Sequence, residues 1–294
     1  MMKHKQLFGT ALVLVAAVLW GTIGIYVRAL TLAGLGTWDI ALLRMGIGLA
    51  AMAAYLLPFH RERLRIRWRD AWLFAGAGIL SLLCMNYCYN EAVNATGLAV
   101  AGTLLYTAPT FVMLLSLLFF RERLCPKKIL ALVLAFVGCA LVSGIARGRL
   151  ALTPRAFLLG LGSGFSYALY SIFGRAALAR GYDSWTVTFY SFAFCLLGCA
   201  CFADPGNIIS IMTPALLPHT LLLGIGTGFL AYCLYTKGLT YMESGRASVI
   251  ASFELVAAAI VGVLAYRETI YPDALAGIGL LLFAIALLSI ERKK

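Results

Sequence analysis

The sequence predicts an all-α integral membrane protein with ten transmembrane helices in two inverted five-helix repeats around a central cavity. Three observations carry this: the excess of apolar residues, the length of the apolar runs, and a long stretch that is written twice. The 294 residues are 62% apolar and 12% charged, against about 45–50% and 25% in globular chains, and mean hydropathy is +0.92. Apolar runs of about 20 residues recur, the length a helix needs to cross roughly 30 Å of hydrocarbon. Because the runs are continuous rather than alternating, they exclude a membrane barrel. The stretch Asn86 to Val142 returns 146 positions later as Tyr232 to Leu288, with Tyr89 on Tyr235, Arg121-Glu122 on Arg267-Glu268, Pro126 on Pro272, and Ala140-Leu141 on Ala286-Leu287. Such self-similarity marks an internal structural repeat, and transporters place substrate sites between repeats of this kind.

Taken in order, helices are expected at 7–30, 38–58, 70–91, 97–120 and 126–145 in a first repeat, residues 7–145. A second repeat, residues 155–291, is expected to hold helices at 155–179, 184–202, 219–241, 246–266 and 272–290. Met1 to Gly21 has the basic lead and apolar centre of a secretory signal, but nine further spans favour an uncleaved first helix. The net charge of +12 lies between apolar runs, not along a basic face, which argues for membrane topology and against nucleic acid.

Lys and Arg collect on the side of the amino terminus, so both termini are expected in the cytoplasm of a plasma-membrane protein. Arg147, Arg149 and Arg155 run against that bias. With five helices per half, the second half must enter the membrane upside down. Corner charges agree: Arg61, Arg63, Arg65, Arg67 and Arg69 separate helices two and three, whereas the matching corner from Asp204 to His219 has no Lys or Arg.

Several residues point to chemistry. Pro109 lies mid-span, lacks an N–H and crowds the carbonyl of Leu105, so helix four should bend, either as a packing kink or as a gate. The freed carbonyl needs a partner such as Thr107, water or a ligand. Glu254 sits about nine residues into helix nine, where a carboxylate costs roughly 2.5 to 3.5 kcal/mol. It is suited to carrying a proton or meeting a substrate amine, or else to a structural bond with a hydroxyl such as Tyr235. Arg44 is near enough to a helix end to reach the interface, and also has the chemistry to hold a carboxylate.

Polar stripes at offsets of three and four occupy single faces: Asn86 with Asn90 and Tyr87 with Glu91; Ser163, Ser166, Tyr167, Tyr170 and Ser171; Tyr232, Tyr235 and Thr236. They serve either as glue between helices or as the lining of a cavity for a neutral or zwitterionic ligand. Gly160, Gly162 and Gly164, like Gly224, Gly226 and Gly228, follow no strand, so they suit close helix contact rather than a phosphate cradle. The eight cysteines fall mostly inside apolar runs and the three histidines outside them, so no metal site or cofactor is expected. Enzyme motifs such as G-x-S-x-G or H-E-x-x-H are missing.

The run Leu105-Tyr106-Thr107-Ala108-Pro109, Trp20-Gly21, Tyr87 to Ala92 and the paired Arg-Glu corners together resemble the drug/metabolite transporter superfamily, in its EamA-type permeases. The resemblance covers nearly the whole chain. It implies a cavity lined by helices one, three, four, six, eight and nine, and movement of small metabolites, commonly amino acids and often outward. In such permeases helix nine commonly carries Glu-Pro, where this chain has Glu254-Leu255, so no proline kink is expected there. The substrate-binding set is then Asn86, Asn90, Tyr232, Tyr235 and Glu254, with Trp20 and Tyr106 as apolar walls, Tyr87, Ser166 and Tyr170 beside them, and Pro109 as the gating residue. The partners are a small-molecule substrate and the lipid bilayer, with proton coupling open. A lipid flippase is the nearer rival reading and a membrane enzyme the more distant one. Oligomeric state is not legible.

Overall fold

Ten long helical stretches and a short helix, Pro205–Ile211, follow one another in the computed structural model, which describes residues 2–144, 153–267 and 269–289. They are α1 (Gln6–Leu32), α2 (Thr37–Phe59), α3 (Trp68–Thr96), α4 (Leu98–Leu105 and Ala108–Phe120) and α5 (Pro126–Val142), then α6 (Pro154–Ala179), α7 (Ser184–Cys199), α8 (Pro214–Gly238), α9 (Ser244–Ala251 and Phe253–Tyr266) and α10 (Pro272–Ser289). No strand occurs among the described residues. Length and composition qualify seven of these to cross a membrane, namely α1, α2, α3, α4, α6, α8 and α9. The expected ten crossings therefore depend on α5, α7 and α10. These have 17, 16 and 18 residues and so reach only about 24–27 Å at 1.5 Å per residue. Glu268, Arg147, Arg149, Arg292, Lys293, Lys294 and the expected repeat edges at 145 and 290–291 lie outside the described residues.

The duplication seen in the letters is also present in the backbone. Arg121 and Arg267, 146 positions apart, both end a helix in the left-handed region with φ 54°. Wide π-helical turns occupy Gly76–Leu83 in α3 and Leu222–Leu230 in α8. Both α4 and α9 are interrupted, and their first pieces begin 146 positions apart, at Leu98 and Ser244.

Corners gather at two ends. At one, Thr186 and Tyr190 donate to the carbonyls of Arg63 and Leu64, each at 2.6 Å, while Asp70 accepts from Tyr182 at 2.7 Å and pairs with Arg180. At the other, buried Asp39 accepts from the backbone of Asp204 at 2.8 Å, from Asn207 at 3.0 Å and from the backbone of Gly36 at 3.1 Å. Arg155, which runs against the charge bias, stands 3.6 Å from Glu91 at this second end.

Small residues set the closest approaches. Helices α5 and α10 touch backbone to backbone, where a Cβ on Gly138 would meet the Gly277 carbonyl at 2.8 Å, and one on Gly277 the Gly138 carbonyl at 2.6 Å. The two glycine clusters seen in the sequence seat α6 against α4, at Leu104 and Thr107, and α8 against α2, at Ile47.

Candidate functional site

Three helices are interrupted at one level of the bundle: α1 at Thr22, α4 at Tyr106-Thr107 and α9 at Ser252. In α4 the cause is Pro109, which sits in the first turn of the second piece, where a missing N–H costs little. The hydroxyl of Thr107 turns to the carbonyl of Leu104 at 2.6 Å, not to that of Leu105 as the sequence suggested. In α9 the interruption forms without proline. Ser252 and Leu255 make tight i to i−3 bonds at 3.2 and 3.1 Å, and Gly21 of α1 is pressed against this turn, close to Ala257 and the Glu254 carbonyl.

Beside the breaks of α4 and α9 lies a pocket of about 10 Å3, lined by Tyr106, Pro109, Tyr167, Ser171, Tyr235, Ser248, Ser252 and Glu254, with Ala108, Val112, Ala168 and Ala251 filling the rest. That is room for about one water. Glu254 accepts a 2.7 Å hydrogen bond from the hydroxyl of Tyr106, so the structural partner is Tyr106 of the first repeat and not Tyr235. Tyr235 instead pairs with Ser171 at 2.7 Å. Arg44 lies within electrostatic reach of Glu254 but forms no ion pair with it among the described residues. Its guanidinium does not run out to the interface: it donates to the Thr227 carbonyl at 3.0 Å and rests 5.6 Å from the Tyr232 ring.

Of the residues singled out in the sequence, Tyr106, Pro109, Tyr235 and Glu254 line the pocket. Trp20, Tyr170 and Tyr232 form an aromatic wall behind it, with Trp20 to Tyr232 at 5.1 Å, Trp20 to Tyr235 at 5.4 Å and Tyr170 to Tyr232 at 5.0 Å between centroids. That wall is tied by polar bonds, since Trp20 also donates to the Thr227 carbonyl and Tyr170 pairs with Thr236 at 3.0 Å. Ser166 is buried on α6 outside the pocket lining. The α3 candidates are not brought in. Asn86 spends its amide on the Leu82 carbonyl of its own helix, the amide nitrogen of Asn90 is buried without a partner, and exposed Tyr87 stacks on Trp38. From that helix it is Tyr89 that comes within electrostatic reach of Glu254. Tyr89, Tyr167, Ser171, Ser248 and Ser252 are the residues that sequence reasoning left out of the site. For Tyr89 the signal was present, because it is the repeat partner of Tyr235.

A model of the EamA-like transporter family matches residues 7–144 and matches again at residues 154–290. The chain belongs to that family. Membership places it among the drug/metabolite transporters that its motifs resemble, and each copy of the EamA-like unit holds one of the interrupted helices α4 and α9. An uncharacterized transporter of Archaeoglobus fulgidus is 30% identical over 95% of this chain and 95% of its own length. The threonine/homoserine exporter RhtA of Escherichia coli K12 is 26% identical over 85% of this chain and 80% of its own. A solved crystal structure superposes with a TM-score of 0.79 at 20% identity, covering 95% of both chains, and shares the fold.

Proposed function

We propose that this transporter exports small zwitterionic metabolites, amino acids foremost, across the plasma membrane by alternating access, with both termini cytoplasmic. One observation carries the reading: a carboxylate at a helix break inside the bundle, held by a hydroxyl from the opposite repeat. A charge so placed is expensive, and its partner lies across the boundary that alternating access must open. When the repeats part, Glu254 loses Tyr106 and needs another partner, which a substrate ammonium or a proton supplies. The tyrosine and serine hydroxyls around it suit a small polar ligand. With room for one water, the pocket must widen before an amino acid enters. The interruptions of α1, α4 and α9 give the half-helices that freedom. Similarity to a threonine/homoserine exporter favours the outward direction.

The test is efflux of labelled threonine and homoserine from proteoliposomes, with and without a pH gradient. Wild type is expected to move both, and Glu254→Gln to move them tenfold to a hundredfold more slowly and with no pH dependence between about pH 5 and 8. Normal transport by Glu254→Gln across that range overturns the role of Glu254.

A further inference from the structure

A second cavity, of about 410 Å3, opens at the end of the bundle that gathers the arginine-rich corners. Its walls include Gln6, Arg175, Thr240, Glu243 and Arg246. The acids near it are already engaged. Glu122 is buried and accepts from the Ser244 backbone at 3.0 Å, and Glu243 pairs with Lys128. Arg246 reaches Gln6 at 3.4 Å.

Arg175 is different. Its hydrogen bonds and ion pair run through one nitrogen, Nη1, which donates to the carbonyls of Met242 at 2.6 Å and Leu239 at 3.5 Å and stands 3.7 Å from Glu122, while the guanidinium carbon lies 5.8 Å from the centre of the Phe120 ring. Among the described residues, Nε and Nη2 make no hydrogen bond, and neither is buried. That edge of a guanidinium is a planar two-pronged donor, matched to the two oxygens of a carboxylate. Its position fits a route inward. Ser171 lines the Glu254 pocket and Arg175, which lines the second cavity, follows it by four residues, about one helical turn along the same helix.

We propose that this cavity is a docking station for carboxylates, in which the open edge of Arg175 grips the substrate before it passes to Glu254. The inference rests on the amino-acid export reading and narrows it to substrates bearing a carboxylate as well as an amine. The acids nearby disfavour a second negative charge on the ligand.

The experiment compares efflux of threonine and threonine amide through wild type, Arg175→Gln and Arg175→Lys in proteoliposomes, after melting curves have shown that each variant folds. Losing one charge-assisted contact should raise the KM for threonine in Arg175→Gln about tenfold or more. Arg175→Lys, which keeps the charge and loses the fork, should fall between. The amide should be a poor substrate of wild type and indifferent to either variant. Equal handling of acid and amide by wild type, or an unchanged threonine KM in Arg175→Gln, overturns the docking station and leaves amino-acid export standing. Wild type moving neither compound overturns export and the station together. Inhibition by inorganic phosphate that vanishes in Arg175→Gln, with the amide carried normally, reassigns the site to phosphate and also overturns the proposal.

Discussion

The two repeats share a backbone and divide the chemistry. Position for position they carry the same left-handed arginine, the same wide turn and the same interrupted helix. At the interruption, however, the first repeat has Tyr106 and Pro109 where the second has Ser252 and Leu255, and Glu254 of the second stands where the first has Ala108. Duplication thus supplied two interrupted helices, and divergence put the acid on one and its hydroxyl partner on the other. The comparison teaches that the break does not depend on proline. Pro109 accounts for it in α4, and in α9 the contact with Gly21 accompanies it instead.

The comparison breaks hardest at the acid. Glu254→Gln should lower threonine efflux tenfold to a hundredfold, the worth of a hydrogen bond to a charged group, at about 1.5–3 kcal/mol. The matching change in the first repeat, Ala108→Glu, should not restore efflux to that variant. Initial rates in proteoliposomes measure both.

Gly21→Val drives a side chain into Ala257 and the Glu254 carbonyl, where a Cβ alone would already sit 2.4 and 2.9 Å away. Overpacking of that kind costs about 1–3 kcal/mol. Gly24→Ala, with nothing within 4 Å, should leave the melting temperature in detergent unchanged. If both variants melt alike, α1 does not brace the α9 interruption.

Leu255→Pro would make the second repeat resemble the first. Because Leu255 lies in the first turn of its half-helix and loses one bond, to Ser252, the cost should be about 1 kcal/mol. Ala259→Pro, deeper in the same piece, should cost about 3 kcal/mol or more. Equal costs would mean that α9 is continuous in solution.

The smallest effect tests the symmetry itself. Arg121→Gly and Arg267→Gly relieve the same left-handed strain, so each should gain about 1 kcal/mol or less. Matching shifts in melting temperature support equivalent corners, and unequal ones break the equivalence.

Much of the architecture could be read from the letters, since apolar run length and the shift of 146 need no knowledge of packing. The site was half legible. Glu254 and Tyr235 stood out as polar groups in apolar runs and Tyr106 as an apolar wall, and all three line the pocket, where Tyr106 turns its hydroxyl on Glu254. Asn86 and Asn90 fall outside the pocket lining, while Tyr89 comes within electrostatic reach of Glu254, for a geometric reason. Regular spacing assigns residues to a common face but does not say where that face points. The wide turn at Gly76–Leu83, just upstream, inserts a residue, and one extra residue rotates everything after it by about 100°. Arg44 escaped similarly, because its reach toward Thr227 depends on how closely α8 approaches α2.

The glycine crossing of α5 and α10 joins the two repeats at one tight contact. Main chain rests on main chain at Gly138 and Gly277, with Leu141, Val142 and Leu281 packed at its edge. A motion that keeps this contact must swing about it as a fulcrum, so probes near the crossing should hold their spacing while those at the rims, near Arg121 and Ser244, sweep the widest arc.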